Sequence, residues 1–282
     1  MQIARIVSEN TIEVYDLTQF DTDAIMHSGQ VFRYHTPSVS LPPLSRGEIN
    51  CTYDLIVGQN KARLLTGKDK VVIATSNPQY FWNYFDLDTD YNEIKKQLRQ
   101  YKTIDKVLNE FASADGIRIL KGEFVETTIS FIISANNNIK RFTKTLNLLS
   151  EQYGADNGFP TLEQLSKLTE EDFQRIGCGY RSPYLVKAIQ QIKALESNKL
   201  QKLSNAELNK TLIQITGVGP KVSACVMLFC FHRLNTAPQD TWIIRALETI
   251  PEEDKEVLLN HRYAGVAQQY VFYYLQHLKK EL

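Results

Sequence analysis

The chain has 282 residues, and the features that it lacks already narrow its class. Its only cysteines, Cys51, Cys178, Cys225 and Cys230, form neither a Cys-x-x-Cys pair nor a zinc-ligand set. No stretch approaches the roughly 20 apolar residues that cross a bilayer, and polar residues interrupt the N-terminus, where a secretory signal needs an apolar run. Sparse, unpaired cysteine fits a reducing compartment. We therefore expect an intracellular, soluble protein that does not bind membranes.

Net charge is also lacking, because 32 Lys and Arg residues balance 32 Asp and Glu residues. A nucleic-acid-binding protein with this balance must concentrate its positive charge on one face. The overall charge therefore neither favours nor excludes a nucleic-acid partner. An apolar fraction of 43% and this length are sufficient for one large domain or two ordinary ones.

Strand-forming sequences are concentrated in the first ninety residues. Runs rich in β-branched and aromatic residues alternate there with turn formers such as Gly58-Gln59-Asn60. They predict a small antiparallel sheet, with one short helix around residues 23–26 before Gly29. The predicted strands cover residues 11–15, 51–57, 61–65 and 71–74.

Helical periodicity begins near Tyr91, where apolar residues such as Ile94 and Leu98 recur at three- and four-residue steps. We predict an α+β protein in which an N-terminal antiparallel β-sheet domain (1–90) precedes an all-α domain (91–282). Beyond residues 91–111, the predicted helices cover residues 124–135, 139–152, 161–166, 183–196, 205–215, 220–234, 241–249 and 264–280.

A helix-hairpin-helix is predicted over residues 212–223, which contain the sequence Thr-Gly-Val-Gly-Pro-Lys. Gly217 and Gly219 allow backbone conformations that a side chain would block, and Pro220 suits the first turn of a helix. Lys221 then projects from that turn, beside free backbone N–H groups that can approach a phosphate. Alone, such a glycine pair is usually a helix connection, and such a lysine is usually a solvated surface residue.

Asp240 follows the hairpin in the sequence Thr-Ala-Pro-Gln-Asp, directly before an apolar helix. Alone, an aspartate at this position is most often a helix N-cap. Together, the hairpin, Lys221 and Asp240 favour a catalytic pair. The combination resembles the helix-hairpin-helix DNA glycosylases, and a lysine at this position resembles the branch that combines glycosylase and lyase activities.

The resemblance to the 8-oxoguanine DNA glycosylases runs along the whole chain and is clearest over residues 80–282. Residues 130–139, Ser-Phe-Ile-Ile-Ser-Ala-Asn-Asn-Asn-Ile, match a distinctive block of that family. The chain cannot supply the four-cysteine loop of the endonuclease III and adenine-glycosylase branches, which excludes both. Further matching segments cover residues 29–33, 80–88, 177–181 and 264–268.

This resemblance implies an enzyme of base-excision repair that flips 8-oxoguanine out of duplex DNA. Asp240 would stabilise the positive charge that develops on the sugar as the bond to the base breaks. Lys221 would attack C1′, form a Schiff base and permit β-elimination of the 3′ phosphate.

Four residues would contact the flipped base by the same resemblance. Cys225 and Phe272 would sandwich the purine, and Gln268 would bond its Watson–Crick edge. The Gly29 carbonyl would accept the N7–H of 8-oxoguanine and repel the bare N7 of guanine. Taken singly, Cys225 and Phe272 are more often core residues, and a lone glycine is more often a turn residue.

Further residues match those that hold the opened duplex in this family. Asn136 would fill the gap left by the base, and Tyr180 would act as a wedge at the kinked step. Arg141 and Arg181 would bond the orphan cytosine, whose O2 and N3 are acceptors. Single arginines of this kind are otherwise usually solvated.

The hairpin would contact DNA phosphate through the backbone of Gly217, Val218 and Gly219. Its outward carbonyls, near Ile213, Ile215 and Val218, are candidates for a structural monovalent or divalent cation. We expect no catalytic metal and no cofactor.

Four positions depart from the family pattern. Trp242 stands where animal members have a histidine that contacts the phosphate beside the lesion. Gln239 and Val266 replace a valine and a tryptophan, and Phe124 interrupts a usual Asp-Pro pair. These changes leave the reaction class intact but weaken inferences about affinity and opposite-base preference.

Two other functions agree with parts of the pattern. A monofunctional alkylpurine DNA glycosylase would share the fold but lacks the catalytic lysine. A non-catalytic helix-hairpin-helix module would keep Gly217 and Gly219 but has no need for Lys221 together with Asp240.

The expected partner is double-stranded DNA that contains an oxidised purine. We expect the protein to bind it as a monomer, in the cytoplasm or nucleoid if the source is prokaryotic.

Overall fold

A computed structural model describes residues 3–36 and 49–281 of the chain. The N-terminal part of the described chain forms the predicted antiparallel sheet. Its strands are β1 (Ala4–Ser8), β2 (Thr11–Val14), β3 (Tyr34–His35), β4 (Ile49–Val57), β5 (Asn60–Gly67) and β6 (Val71–Thr75). Within these residues the six strands make one sheet in the order β1-β2-β6-β5-β4-β3.

The central strands place alternate apolar side chains on one buried face. In β2 and β6, Ile12 lies opposite Ile73 and Val14 lies opposite Val71, while β5 sets Leu64 opposite Ile73. All five side chains are 0% exposed. Burial of each contributes about 1.5–3 kcal/mol, so this face is the core of the sheet.

Helices make up most of the remaining chain. In chain order they are α1 (Thr22–His27), α2 (Pro78–Tyr84), α3 (Tyr91–Leu98), α4 (Lys102–Glu110), α5 (Phe124–Ser134), α6 (Ile139–Tyr153), α7 (Leu162–Leu165), α8 (Glu170–Arg175), α9 (Ser182–Lys193), α10 (Ser197–Leu200), α11 (Asn205–Ile213), α12 (Pro220–Phe229), α13 (Thr241–Thr249), α14 (Glu252–Leu259) and α15 (Ala264–Glu281). Short 3-10 helices cover Ala112–Gly116 and Gly179–Arg181. In the described part of the chain, no helix is both long and apolar enough to cross a bilayer.

The fold is organised as two compact units. The first consists of Met1–Leu55, Asn60–Lys121 and Leu234–Leu282, so the sheet and the C-terminal helices α13–α15 belong together. The second consists of Ile56–Gln59 and Gly122–Arg233, which contains α5–α12 and the hairpin. The domain boundary predicted between residues 90 and 91 lies inside the first unit, immediately before α3, and stays a prediction.

A buried arginine stabilises the first unit. The Arg118 side chain is 0% exposed, and its guanidinium lies over the Tyr91 ring, 4.2 Å from the centroid. Buried charge is tolerated only when its hydrogen bonds are satisfied. Arg118 donates to the backbone carbonyls of Gln19, Phe85, Asp86 and Thr89.

The fold class is α+β, as predicted, but the sequence pattern missed several short elements. The edge strand β1 exposes its residues after Ala4, so it shows no alternation. The helices α8 and α10 are too short to show a helical period, and α2 and α14 were also missed. The helix predicted over 220–234 ends at Phe229, and His232 adopts a φ of 54° beyond it.

Candidate active site

The hairpin joins α11 to α12 in the second unit and has the backbone geometry that its glycines predict. Gly217 has a φ of 85°, which side chains rarely adopt. Gly219 is the N-cap of α12 and Pro220 begins the helix, with no side chain capping the first turn. Free N–H groups at a helix N-terminus attract anions, so this turn is suited to a phosphate.

Lys221 projects from that first turn and is half-buried. Its Nζ lies over the Phe131 ring of α5, 5.6 Å from the centroid, which restrains the amine by a cation–π contact. Cys225 follows one turn later on α12 and is 2% exposed. Lys221 and Cys225 therefore lie on one side of the same helix.

A glutamine on α9 holds the hairpin backbone at two points. The Gln191 Nε2 donates to the Gln214 carbonyl at 3.0 Å, and its Oε1 accepts the Thr216 N–H at 2.7 Å. The amide thus completes the hydrogen bonding of the chain just before Gly217. A second link joins the two hairpin helices, since the Ser223 hydroxyl donates to Asn209 Oδ1 at 2.7 Å.

Asp240, in the first unit, caps α13. Its Oδ1 accepts the N–H groups of Trp242 and Ile243, both at 3.0 Å. Its Oδ2 makes no hydrogen bond with any residue in the described part of the chain. Capping and catalysis are therefore compatible, because one carboxylate oxygen fixes the side chain while the other stays available for a developing positive charge.

Gly29 and Phe272, which were both predicted to contact the base, lie together in the first unit. Gly29 has a φ of 78°, and a Cβ atom at residue 29 would lie 3.1 Å from Phe272 Cε1. A side chain at residue 29 would therefore strain the backbone and crowd the ring. Glycine is therefore the residue that suits this backbone conformation and this contact with Phe272.

Two buried neighbours hold the Gly29 carbonyl in place. Gln30 donates to the Ser28 hydroxyl at 2.9 Å and to the Arg118 carbonyl at 2.8 Å, and it accepts the Leu120 N–H at 2.9 Å. The Ser28 hydroxyl in turn donates to the Ile25 carbonyl. The loop around Gly29 is fixed on both sides.

Gln268 is buried on α15, with 2% of its surface exposed. Its Oε1 accepts a hydrogen bond from Nε2 of the adjacent Gln269 at 3.0 Å. Its own Nε2 makes no hydrogen bond within residues 3–36 and 49–281. A buried amide with unused hydrogen-bonding capacity is typical of a binding site rather than of a core.

In the second unit, Arg181 supports the loop that carries Asn136. The Arg181 side chain is 4% exposed, and its guanidinium donates to the carbonyls of Ala135 and Asn136. Asn136 itself is exposed and has a φ of 49°. Arg181 therefore positions Asn136 in this structure. The bond of Arg181 to an orphan cytosine stays a prediction.

Tyr180 is the most prominent aromatic side chain of this surface, with 58% exposure. The Arg181 guanidinium stacks on its ring at 4.3 Å, and Tyr184 packs against its edge with ring centroids 6.2 Å apart. A Cβ atom at Gly179 would lie 3.9 Å from Arg141 Nη2. The predicted wedge, Tyr180, thus contacts the predicted cytosine-binding residue Arg181, and the second such residue, Arg141, lies near Gly179.

Tyr184 extends this surface to the hairpin. It is 43% exposed, and its Cβ would lie 3.5 Å from a Cβ atom at Gly217. Asn136, Tyr180 and the hairpin are therefore parts of one continuous surface of the second unit.

Trp242 is half-buried in the first turn of α13.

Among the described residues, no group of three or more His, Cys, Asp and Glu side chains could hold a metal ion. The cation expected at the hairpin would instead use backbone carbonyls, oxygen ligands of the type that hard cations prefer. Of these, the Ile215 carbonyl also accepts the Val218 N–H at 3.0 Å.

Sequence-family models match nearly the whole chain. Residues 14–128 match the 8-oxoguanine DNA glycosylase N-terminal domain, and residues 129–256 match the HhH-GPD superfamily of base excision DNA repair proteins. The chain belongs to the 8-oxoguanine DNA glycosylase family. The predicted resemblance is confirmed at this level.

Individual family members are similar over different extents. The N-glycosylase/DNA lyase OGG1 of Arabidopsis thaliana is 32% identical over 175 residues, 56% of this chain and 48% of that protein. The N-glycosylase/DNA lyase of Saccharomyces cerevisiae is 32% identical over 203 residues, 64% of this chain and 52% of that protein. The aligned region thus spans about half the length of these two relatives.

A solved family structure matches from end to end. The 8-oxoguanine glycosylase/lyase of Clostridium acetobutylicum, bound to duplex DNA with cytosine opposite 8-oxoguanine, has a TM-score of 0.84 and 29% identity, with 99% of this chain and 100% of that chain covered. Its apo form gives a TM-score of 0.82 and 30% identity, with 97% and 100% covered.

Several residues that support the predicted site residues were not found from the sequence. Gln30 and Gln269 each stand beside a predicted base-contacting residue, and their amide side chains in apolar surroundings were a usable signal. Tyr184 follows the wedge residue by one helical turn, which was a second signal. Gln191 gave no signal, because its hairpin partners are distant in sequence.

Proposed function

We propose that this protein is a bifunctional DNA glycosylase that excises 8-oxoguanine from duplex DNA and cleaves the strand at the resulting site. One observation carries the proposal: Lys221 projects from the uncapped first turn of α12, directly after the Gly217-Val218-Gly219 hairpin. An amine held at a phosphate-binding turn is suited to attack a sugar beside that phosphate. The relatives named N-glycosylase/DNA lyase support the same activity.

In the first step, the bond between C1′ of the deoxyribose and N9 of the base breaks. The base leaves with the bonding electrons, and positive charge develops on the sugar. The Oδ2 of Asp240, which helix capping leaves available, stabilises that charge.

In the second step, the amine nitrogen of Lys221 forms a bond to C1′ and gives up one proton. The sugar ring then opens as the C1′–O4′ bond breaks and O4′ takes up a proton, which leaves a protonated imine between Lys221 and C1′. Removal of a proton from C2′ then expels the 3′ phosphate, which cleaves the strand, and water hydrolyses the imine to release the enzyme.

Lesion recognition is assigned to Gly29, Cys225, Gln268 and Phe272. The Gly29 carbonyl accepts N7–H, the one hydrogen-bond donor that distinguishes 8-oxoguanine from guanine on this edge. The fixed loop around Gly29 supports this role, because a carbonyl that cannot move away imposes its repulsion on the N7 lone pair of guanine.

The second unit's surface is assigned to the opened duplex. Asn136 fills the space of the flipped base and Tyr180 wedges the adjacent step, while Arg141 and Arg181 serve the orphan cytosine. The backbone of Gly217, Val218 and Gly219 binds phosphate, with a structural cation at the hairpin carbonyls. In the first unit, Trp242 contacts the DNA backbone beside the lesion. The exposure of Tyr180 and the left-handed backbone of Asn136 support these roles.

The proposal includes action as a monomer on double-stranded DNA that contains an oxidised purine. It also includes a DNA-associated location inside the cell.

Borohydride trapping tests the proposal. The wild-type protein is incubated with a labelled duplex that contains one 8-oxoguanine opposite cytosine, and with an undamaged duplex. We expect a covalent adduct on the lesion duplex only. The Lys221→Gln variant should bind the lesion duplex without forming the adduct, whereas Lys210→Gln, an exposed lysine of α11, should trap like the wild type.

Other outcomes would identify the rival functions. Base release without an adduct would indicate a hydrolytic glycosylase, as in the alkylpurine enzymes. DNA binding without base release or adduct would indicate a non-catalytic hairpin module. An adduct in Lys221→Gln would refute the assignment of the nucleophile.

A further inference from the structure

The side chain next to Gln268 is as deeply buried as Gln268 itself. Gln269 is 3% exposed, and its Nε2 donates to Gln268 Oε1 at 3.0 Å. Its own Oε1 is buried without a hydrogen-bond partner among the described residues. A buried, unsatisfied amide oxygen is costly, so a helix whose core needed only packing would not be expected to retain this side chain.

We propose that Gln269 is a positioning residue that fixes the orientation of the Gln268 amide, and thereby makes the base site specific for a guanine-type Watson–Crick edge. This inference rests on the proposed function. It assigns to Gln269 no contact with the base, since its Oε1 is enclosed by protein.

The orientation matters because a glutamine amide has one accepting and one donating end. The edge of 8-oxoguanine presents N1–H and N2–H donors beside the O6 acceptor, whereas an adenine-type edge presents the N1 acceptor beside an N6–H donor. Gln268 matches the guanine-type edge when Oε1 faces N1–H and Nε2 faces O6. Rotation of the amide by half a turn sets Nε2 against N1–H, donor against donor.

Gln269 opposes this rotation. If Gln268 alone turned over, its Nε2 would face Gln269 Nε2, and the hydrogen bond of 3.0 Å would be lost. If both amides turned over, Gln269 Nε2 would occupy the buried position of its Oε1. An NH₂ group with two donors would then be buried without an acceptor, which is less favourable than one unpaired oxygen. An oxygen has two lone pairs, so Gln268 Oε1 can accept from Gln269 and from the base at the same time.

Two substitutions of opposite effect test the inference. Gln269→Met keeps the volume and removes the donor, so Gln268 can adopt either orientation. Gln269→Glu replaces the donor by an acceptor and favours the turned-over Gln268. We expect single-turnover excision of 8-oxoguanine to slow by about twofold in Gln269→Met, because about half of the Gln268 amides are then turned over. In Gln269→Glu the preference is reversed, and excision should slow by about tenfold, the upper range of one net hydrogen bond.

Strand cleavage at a preformed abasic site is measured on the same preparations, because this reaction has no base to recognise. Its rate should equal that of the wild type in both variants. Excision of 8-oxoadenine, relative to 8-oxoguanine, should rise in Gln269→Glu. The matched control is Gln276→Glu, a half-buried position on the same helix, which should leave all rates unchanged.

Equal rates for Gln269→Met and the wild type would overturn the inference, and so would equal losses in the Met and Glu variants. A parallel loss of abasic-site cleavage would also overturn it, because the residue would then serve only folding. If Gln269→Glu does not fold, the ratio of 8-oxoguanine excision to abasic-site cleavage in Gln269→Met decides alone. Failure of the proposed function is distinct, because the wild type would then release no 8-oxoguanine.

Discussion

The two-point contact between Gln191 and the hairpin predicts a measurable loss of DNA affinity in Gln191→Ala. The substitution removes a donor to the Gln214 carbonyl and an acceptor for the Thr216 N–H. A net hydrogen bond contributes about 0.5–1.5 kcal/mol, and the exposure of Gln191 lets water replace part of it, so we take about 0.5 kcal/mol for each. The sum of about 1 kcal/mol corresponds to about fivefold weaker binding, because the hairpin must then be ordered when DNA binds.

Fluorescence anisotropy with an undamaged duplex, over a series of salt concentrations, checks this prediction. The adjacent Gln190 is also exposed, and Gln190→Ala is the matched control that should bind like the wild type. The salt dependence should be the same in all three proteins, because Gln191 acts on the hairpin and not on a phosphate. Equal affinities for the two variants would refute the reasoning, and a shallower salt dependence in Gln191→Ala would indicate a direct phosphate contact.

Three further predictions concern the first unit. Asp240→Asn should keep the cap of α13, so a calorimetric scan should give a melting temperature within about 2 °C of the wild type. Base excision in single-turnover kinetics should fall by at least about a hundredfold because the carboxylate charge is lost, and unchanged excision would contradict the proposed role of Asp240. Gly29→Ala should weaken 8-oxoguanine binding more than guanine binding, because the new Cβ meets Phe272 and the φ of 78° becomes strained. If a competition assay gives the variant and the wild type the same ratio of 8-oxoguanine to guanine affinity, the role of Gly29 is contradicted. Arg118→Met should lower the free energy of unfolding by about 3–5 kcal/mol, since several buried carbonyls lose their donor; urea denaturation measures this, and a loss below about 1 kcal/mol would exclude the structural role of Arg118.

Local patterns were sufficient to predict much of this molecule. The hairpin was predictable because Gly217, Gly219 and Pro220 each restrict the backbone through their own covalent structure. The sheet and the longer helices were predictable because burial of one face imposes a period on the sequence.

The remaining features depend on residues that are distant in sequence. Gln191 bonds the chain at residues 214 and 216, and Arg118 bonds carbonyls at residues 19 and 85–89. The helical and strand periodicity of the sequence does not indicate such contacts, because a glutamine or an arginine alone is compatible with a solvated side chain. Resemblance to a family proposed Arg181 as a DNA contact, and only the folded chain shows that it also supports the loop of Asn136.

The cap that Asp240 provides for α13 has a consequence for how this protein could acquire a new substrate. A carboxylate tied to two backbone N–H groups has little rotational freedom left, so its free oxygen is aimed before any DNA arrives. In the proposed mechanism, little reorganisation energy is then required in the transition state, but the direction of the charge cannot adapt to a sugar in another place. The proposed mechanism therefore lets substrate range diverge through the groups that hold the base, while the Asp240 carboxylate stays at one fixed point.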